Sequence, residues 1–565
     1  MARTIPIGEQ NFATLRKENL FYIDKTKFIK EWWSGHDGVT LITRPRRFGK
    51  TLMLNTVYTF FALDFAQQSE LFADLEIWQD EHFRRLQGTI PVIYLSFANV
   101  KCQTFSEAIQ LIKILIENCY IKFRYILQDN LFSAWEKEHF INTNRNINDA
   151  DAKMSLFSLS EYIYRYHAIK PIILIDEYDT PMHAAWINGY WHELIDFMRI
   201  FFNSTFKTNT LLERGLITGI TRISKESLFS DLNNLEVVGT TSDLYSDCFG
   251  FTEEEVFSAL AEYGLTAKQE VKQWYDGFIF GSHKGIYNPW SIIGYLKKKT
   301  FAPYWGQTSS NAMVGQLIGQ SGQDIKEETA SLLRGEAIVT KFDEQIVFSQ
   351  LTNKPGAIWS FLMAAGYVKP LSFDLSTNEY QITLTNHEVH IIFEDLISSW
   401  FNHTFDYGKK FRAALMADDV NNMNNFLQKI ATSTFSFFDT GGEEPERFYH
   451  AFVLGLIVDM KEHYEIRSNR ESGFGRYDVL LFPRNTCAHG IIIEFKTMQS
   501  NFEANLSATC QNALKQILTK QYAEELLDRQ IDINNIYIYG FAFQGKKIQI
   551  CGGALSEISN KLAIQ

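Results

Sequence analysis

Along the first half of the chain, polar helix-forming stretches are broken by short, nearly unbroken apolar runs: GVTLIT at 38–43, TIPVIYLSF at 89–97, KPIILIDEYD at 170–179 and RGLITGITRIS at 214–224. A strand that is apolar at every position is buried on both faces, and helix-length segments between such strands give a parallel sheet covered on both sides. The first run leads straight into RPRRFGKTLMLNTVYTFF, where the apolar period becomes helical. The reading is strand, loop, helix, and it places an α/β domain over residues 1–250.

From FTEEEVFSALAEYG (251–264) to residue 440 the pattern is mostly helical, with Thr252 and Glu255 at the spacing of a capping box. A winged-helix part is expected near AIWSFLMAAGYVKP (357–370), a short hairpin at EYQITLT (379–385), and a linker at DTGGEEPE (439–446). The domain 441–565 then reads as helix RFYHAFVLGLIVDMKEH, strands YEIRSN, GRYDVLLFP and GIIIEFKT, a long amphipathic helix across 502–528, and the strand pair IYIYGFAF and KIQICGG.

Composition narrows this picture. A chain of 565 residues with 45% apolar residues exceeds one hydrophobic core and folds nearly throughout. The six cysteines form no Cys-x-x-Cys pair, which argues against a disulfide framework or a zinc ribbon and for a reducing, cytoplasmic setting. No apolar run approaches the roughly 18 residues of a membrane helix, and no signal peptide is evident, so no membrane partner is expected. A net charge of −12 leaves nucleic acid only a local basic cleft.

The loop after the first strand carries part of a phosphate-binding pattern. In G-x-x-x-x-G-K-[ST], glycines turn backbone N–H groups toward phosphate oxygens, the lysine meets the outer phosphates and the hydroxyl holds Mg²⁺. RPRRFGKT supplies Gly49, Lys50 and Thr51 but sets Arg44 where the first glycine belongs; Arg46 and Arg47 add charge that phosphates favour. The strand IILIDEYD ends in Asp176 and Glu177, one acid for Mg²⁺ and one to polarise an attacking water. Thr221 and Arg222 stand at the end of the next apolar run, where a sensor of the γ-phosphate fits. Singly, these features are as well explained by a helix start and a solvated strand end; in this order they point to a nucleotide site.

In the C-terminal region, Asp478 opens one apolar run, while Glu494 and Lys496 close the next. Adjacent strands can bring the two acids to one divalent cation, and Lys496, two residues after Glu494, shares its face. Acid, then Glu-x-Lys, on neighbouring strands suits metal-dependent phosphodiester hydrolysis, with Lys496 orienting the nucleophile or stabilising the transition state. The bland alternative is a cross-strand salt bridge. Glu446, upstream, is either a further metal ligand or a helix-start acid favoured by the macrodipole. Gln516 is either a solvated helix position or a group that reaches the metal water or the substrate.

LITRPRRFGKTL, PIILIDEYDTP, TGITRISKESLFSDLNNL and the pair WYDGF and IYNPWSI together resemble the AAA-ATPase-like family. SNRESGFGRYDVLL, IIIEFKT, ALKQILTKQYAEEL and YIYGFAFQGKKI resemble its usual C-terminal companion, a PD-(D/E)XK nuclease superfamily domain, with Tyr477-Asp478 standing for the Pro-Asp of that name. The resemblance implies a bacterial cytoplasmic protein with an ASCE-type P-loop α/β core, a helical and winged-helix middle and a restriction-endonuclease-like α/β end. It matches Lys50 and Thr51 to the phosphate and magnesium residues, Asp176 and Glu177 to the second nucleotide motif, Arg222 to a sensor, and Asp478, Glu494 and Lys496 to the nuclease motif. The expected function is a nuclease dependent on Mg²⁺, with Mn²⁺ as a substitute, switched by ATP, acting on DNA ahead of RNA and self-associating with nucleotide. The competing expectation is a signalling or scaffold ATPase whose nuclease-like domain only binds.

Overall fold

The computed structural model describes residues 2–222, 228–229, 232–307, 314–315, 317–318, 321, 323–342, 356–400, 405–434, 445–457, 460–461, 463–472, 475–484, 489–498 and 505–563. The chain forms two compact units, one of Met1–Gln307 with Val339–Val389 and one of Thr308–Ile338 with His390–Gln565.

In the first unit, β1 (Val39–Thr43), β2 (Val92–Ser96), β3 (Ile172–Asp176), β4 (Arg214–Gly219) and β5 (Leu235–Val238) form a sheet in the order β2-β3-β4-β1-β5, every pair parallel. β1, β3 and β4 are buried at every residue, as their unbroken apolar runs require. Insertion of β4 between β1 and β3 is the ASCE arrangement, and it sets the end of β1 two strand spacings, about 9.6 Å, from the acid end of β3. Helix α1 (Lys50–Phe61) returns from β1 and buries Leu54, Val57 and Phe60 in a core with Phe12, Trp32, Leu174 and Leu216. β5 escapes the sequence pattern because it holds four residues with Glu236 among them; its pairing with β1 makes it a strand.

The middle region is less helical than its pattern suggests. Phe251–Thr252, Phe278–Phe280 and His283–Tyr287 form a small antiparallel sheet, and strands this short show no periodicity. The capping box of Thr252 and Glu255 is present. Helix Ala357–Ala364 precedes a hairpin of Val368–Asp374 with Glu379–Leu384, close to the expected one. Of the expected linker, 439–444 lies outside the described residues, and Pro445 opens a helix.

In the second unit, β6 (Tyr464–Ser472), β7 (Gly475–Pro483), β8 (Gly490–Thr497), β9 (Ile536–Gln544) and β10 (Lys547–Ala554) lie in sequence order; β8 and β9 are parallel and the other pairs antiparallel. Helix α2 (Pro445–Ile457) precedes the sheet, and α3 (Leu506–Thr519) is the crossover that parallel pairing demands. Strand alternation sorts the side chains. Val479, Leu481, Ile493 and Phe495 join the core of α2 through Phe452 and Val453, while Leu480, Phe482 and Ile492 pack with Leu514 and Ile517 of α3.

One buried acid in the first unit carries a measurable consequence. Glu388 accepts hydrogen bonds from Ser291 Oγ at 2.7 Å and Trp305 N–H at 2.8 Å, yet burial outweighs both donors and pushes its pKa from 4.5 up to about 7. The folded chain therefore keeps a proton that the unfolded chain loses near pH 4.5. Stability from this group is full below pH 4.5 and is lost as pH rises to 7, on the order of 2–3 kcal/mol. Urea unfolding across this range should show Glu388→Gln losing that slope; an unchanged slope would exclude Glu388 as its source.

Candidate functional site

Residues 44–49 connect β1 to α1 and fold back over the helix N-terminus, whose first N–H groups have no partner within the helix. Gly49 caps the helix at φ 81, a conformation that strains other residues, and Arg47 takes the left-handed region at φ 65. Arg44, at the first-glycine position, is absent from the positive-φ residues, so no glycine is needed there. Its side chain is buried and donates to the carbonyls of Thr43 at 3.0 Å, Gly239 at 2.6 Å and Leu244 at 3.3 Å, with the guanidinium 4.5 Å from the Phe280 ring. Arg44 thus ties the loop to the exit of β5 instead of lining the phosphate cradle, and burial pulls its pKa down to about 9. Arg46 is half-buried, and exposed Arg47 lies 4.4 Å from the Trp290 ring.

Lys50 curls onto the loop, its Nζ donating to the Arg44 and Pro45 carbonyls, each at 2.8 Å. Burial pushes its pKa down to about 8 against the attraction of Glu177, Asp179 and Asp176. Asp176 is fully buried; Thr218 Oγ1 donates to its Oδ1 at 2.7 Å, while no hydrogen bond reaches Oδ2. Burial raises its pKa, opposed by Thr218, Thr51 and Lys50. Glu177 sits at φ 50, a backbone state that a non-glycine residue holds only when its surroundings impose it, and accepts from Thr180 Oγ1 at 3.1 Å.

The turn after β3 contains a residue that the sequence reading passed over. Asp179, 1% exposed, accepts through Oδ2 from Ile220 N and Thr221 N at 2.9 Å each and from Thr221 Oγ1 at 3.1 Å. Tyr178 adds a hydrogen bond from its hydroxyl to Thr221 O at 2.7 Å. The acid turn and the loop after β4 are thereby clamped together. Arg222 follows that clamp, half-buried, and no hydrogen bond or ion pair among the described residues joins it to the acids.

In the second unit, the register Val479↔Ile493 sets Asp478 beside Glu494 across β7 and β8. Phe495 N–H donates to Asp478 Oδ2 at 2.8 Å. Glu494, 2% exposed, accepts from Gln516 Nε2, which also lies 3.2 Å from the Tyr522 hydroxyl. Gln516, half-buried, thus holds the Glu494 carboxylate. Gly540 faces Glu494 in the parallel register, and a Cβ there would stand 2.5 Å from Cys510 O, so its absence lets α3 approach closely enough for Gln516 to reach. Lys496 is half-buried on the strand face of Glu494. Behind the acids, His450 of α2 places Nε2 3.2 Å from Asp478 O and 3.0 Å from Ser468 Oγ. Burial drives its pKa down to about 4, so the ring is neutral and Nε2–H faces the carbonyl as donor.

Glu446 lies in α2, but its side chain is outside the described residues. Among the described residues no group of three or more His, Cys, Asp or Glu is placed to hold a metal, so the pair Asp478 and Glu494 is the acidic core of this site. Asp179, His450 and Tyr522 were missed. Asp179 had a signal in the Asp at either end of DEYD; His450 and Tyr522 lie in helix-patterned stretches that carry no such signal.

Two regions of the chain match known families. Residues 6–229 match the family described as predicted AAA-ATPase, AAA-ATPase-like, and residues 444–552 match the PD-(D/E)XK nuclease superfamily. A curated relative, "Uncharacterized protein in vnfD 5'region" of Azotobacter chroococcum mcd 1, is 27% identical over 327 residues. That alignment spans 56% of this chain and 56% of the relative, so the chain covers little more than half of the relative's length.

Removing the Asp179 acceptor strands a buried amide, a part-buried amide and a hydroxyl, at about 1–3 kcal/mol each when nothing replaces it. Asp179→Ala is expected to lower unfolding free energy by about 2–4 kcal/mol in urea titration; a loss under about 0.5 kcal/mol would show that the clamp contributes nothing.

Proposed function

We propose that this chain is a nuclease that hydrolyses phosphodiester bonds at Asp478, Glu494 and Lys496, with ATP bound at the N-terminal loop as its switch. The observation that carries the reading is the placing of two acids from adjacent strands on one sheet face, with Lys496 following and each carboxylate held by its own donor, Phe495 N–H or Gln516 Nε2.

Asp478 and Glu494 would hold a divalent cation, Mg²⁺ or Mn²⁺, which when bound supplies a water of lowered pKa and neutralises charge on the scissile phosphate. Phe495 N–H and Gln516 orient the two carboxylates before substrate arrives, the preorganisation that a metal-binding pair requires. His450 steadies the Asp478 backbone from the opposite face of the sheet. Lys496 offers its ammonium to the oxygen on which negative charge develops.

At the N-terminal site, the loop amides, Arg46, Arg47, Gly49 and Lys50 meet the phosphates, and Lys50 exchanges its carbonyl partners for phosphate oxygens. Thr51 and Asp176 are the residues suited to Mg²⁺; the buried Oδ2 of Asp176, without a hydrogen bond, fits that use. Glu177 is the group to polarise an attacking water, and the Asp179 clamp carries any shift of the acid turn to Thr221 and Arg222. DNA is the favoured substrate, the cytoplasm the expected setting, and nucleotide-dependent self-association the expected form of the switch. No helix among the described residues is long and apolar enough to cross a membrane.

Cleavage of plasmid, linear duplex, single-stranded DNA and RNA with Mg²⁺ or Mn²⁺ tests the reading. Glu494→Ala should abolish cutting and leave ATP binding intact; cutting that persists in this variant would remove the proposed centre. Lys50→Ala should weaken ATP binding by about 100-fold, near 3 kcal/mol, by calorimetry. Unchanged affinity would refute the phosphate-loop assignment.

A further inference from the structure

We propose that Cys510 and Cys551 are a redox modification site: a hydroperoxide oxidises Cys551, a reversible disulfide to Cys510 follows, and the bond weakens metal binding at Glu494. The disulfide stands on its own; its effect at Glu494 rests on the metal-binding reading of Asp478 and Glu494.

Position on the sheet is the first argument. The registers of β8, β9 and β10 set Glu494, Gly540 and Cys551 in one row across three strands. Residues directly opposite one another share a face. Gln516 of α3 reaches Glu494, and Cys551 packs against the core that holds Leu514 and Ile517 of α3, so the row faces this helix. At its middle, a Cβ on Gly540 would stand 2.5 Å from Cys510 O and 3.0 Å from Ala513. The missing side chain lets helix and strand approach, as a bridge requires, because α-carbons more than about 7 Å apart cannot be joined without backbone movement.

The two thiols meet at this place. Cys510 is fully buried, with Sγ 2.9 Å from Gly540 O and 3.4 Å from Gln549 O. Its side chain also shares a hydrogen bond with that of Cys551; this bond and burial raise the Cys510 pKa and keep it a thiol. Cys551 is partly exposed and is the sulfur that an oxidant in solution reaches. An accessible cysteine beside a resolving one is the arrangement of reversible thiol oxidation.

The chemistry balances with the hydroperoxide as oxidant. The Cys551 sulfur attacks the peroxide oxygen, the O–O bond breaks, an alcohol leaves and a sulfenic acid remains on Cys551. Cys510 then attacks that sulfur, the S–O bond breaks, and the hydroxyl leaves as water with the Cys510 proton. Two thiols have lost two electrons and two protons, and the hydroperoxide has become alcohol and water. A thiol reductant reverses the bond by exchange.

Helix α3 links this chemistry to the acids. Gln516 holds the Glu494 end of the row and Cys510 meets the Cys551 end. Covalent closure pulls α3 toward β10 and draws Gln516 off the Glu494 carboxylate. Loss of such an orienting partner costs about 10–100-fold in metal affinity.

The experiment treats the full chain with hydrogen peroxide, removes the peroxide, maps the non-reduced peptides by mass spectrometry and titrates Mn²⁺ by calorimetry. A linkage of Cys510 to Cys551 should form, disappear with dithiothreitol and be absent from Cys551→Ser. In Cys510→Ala, which lacks the resolving thiol, a sulfenic-acid trap should label Cys551. Mn²⁺ affinity should fall at least about tenfold in the oxidised wild type, recover with dithiothreitol, and ignore peroxide in Cys551→Ser; melting temperatures verify that both variants fold. No linkage in the wild type would overturn the proposal. A linkage with unchanged Mn²⁺ affinity, or an equal loss of affinity in Cys551→Ser, would overturn control of Glu494. Absence of Mn²⁺ binding by the reduced chain would overturn the metal-site reading and that control with it, while the peptide map still decides the disulfide.

Discussion

A charged group taken out of water costs several kcal/mol unless the fold returns hydrogen bonds or opposite charge to it. Both sites are arranged around that constraint. Lys50 is buried and satisfied by two loop carbonyls, Asp176 by Thr218, Asp179 by two amides and a hydroxyl, and Glu494 by Gln516. A carboxylate or ammonium held this way cannot wander, so its position is set before a ligand arrives. Arg44 shows the same rule, since four backbone carbonyls and an aromatic face make its burial tolerable.

The strand order turns this local chemistry into a coupled site. With β4 between β1 and β3, the loop that ends β4 faces the acid turn, and Asp179 and Tyr178 bind the two together through Thr221. Glu177 holds its left-handed backbone inside this braced turn, so a change at the acids has a short, stiff route to the residues after β4. Gly219 belongs to the same arrangement, because a Cβ there would lie 2.5 Å from the Tyr178 ring.

In the second unit the corresponding device is register. A shift of one residue between β7 and β8 would move Asp478 to the α2 face and separate it from Glu494. The alternating apolar residues prevent that, since Val479 and Ile493 must face α2 while Leu480 and Ile492 face α3. The hydrophobic pattern that stabilises the sheet is thus also what aligns the acids.

The sequence by itself determined the elements whose signal is local: unbroken apolar runs for β1, β3 and β4, the capping box at Thr252, the Gly-Lys-Thr helix start, and the parity that puts Glu494 and Lys496 on one face. Each depends on neighbours a few residues apart. Tertiary structure alone decided that β5 is a strand, that Arg44 turns inward, that Asp179 braces a loop about 40 residues away, and that Gln516 holds Glu494. It also brought Cys510 to Cys551. These depend on which distant segment a side chain meets once the core has formed. Burial then sets the protonation and the partners of each charged group, and no local pattern encodes that.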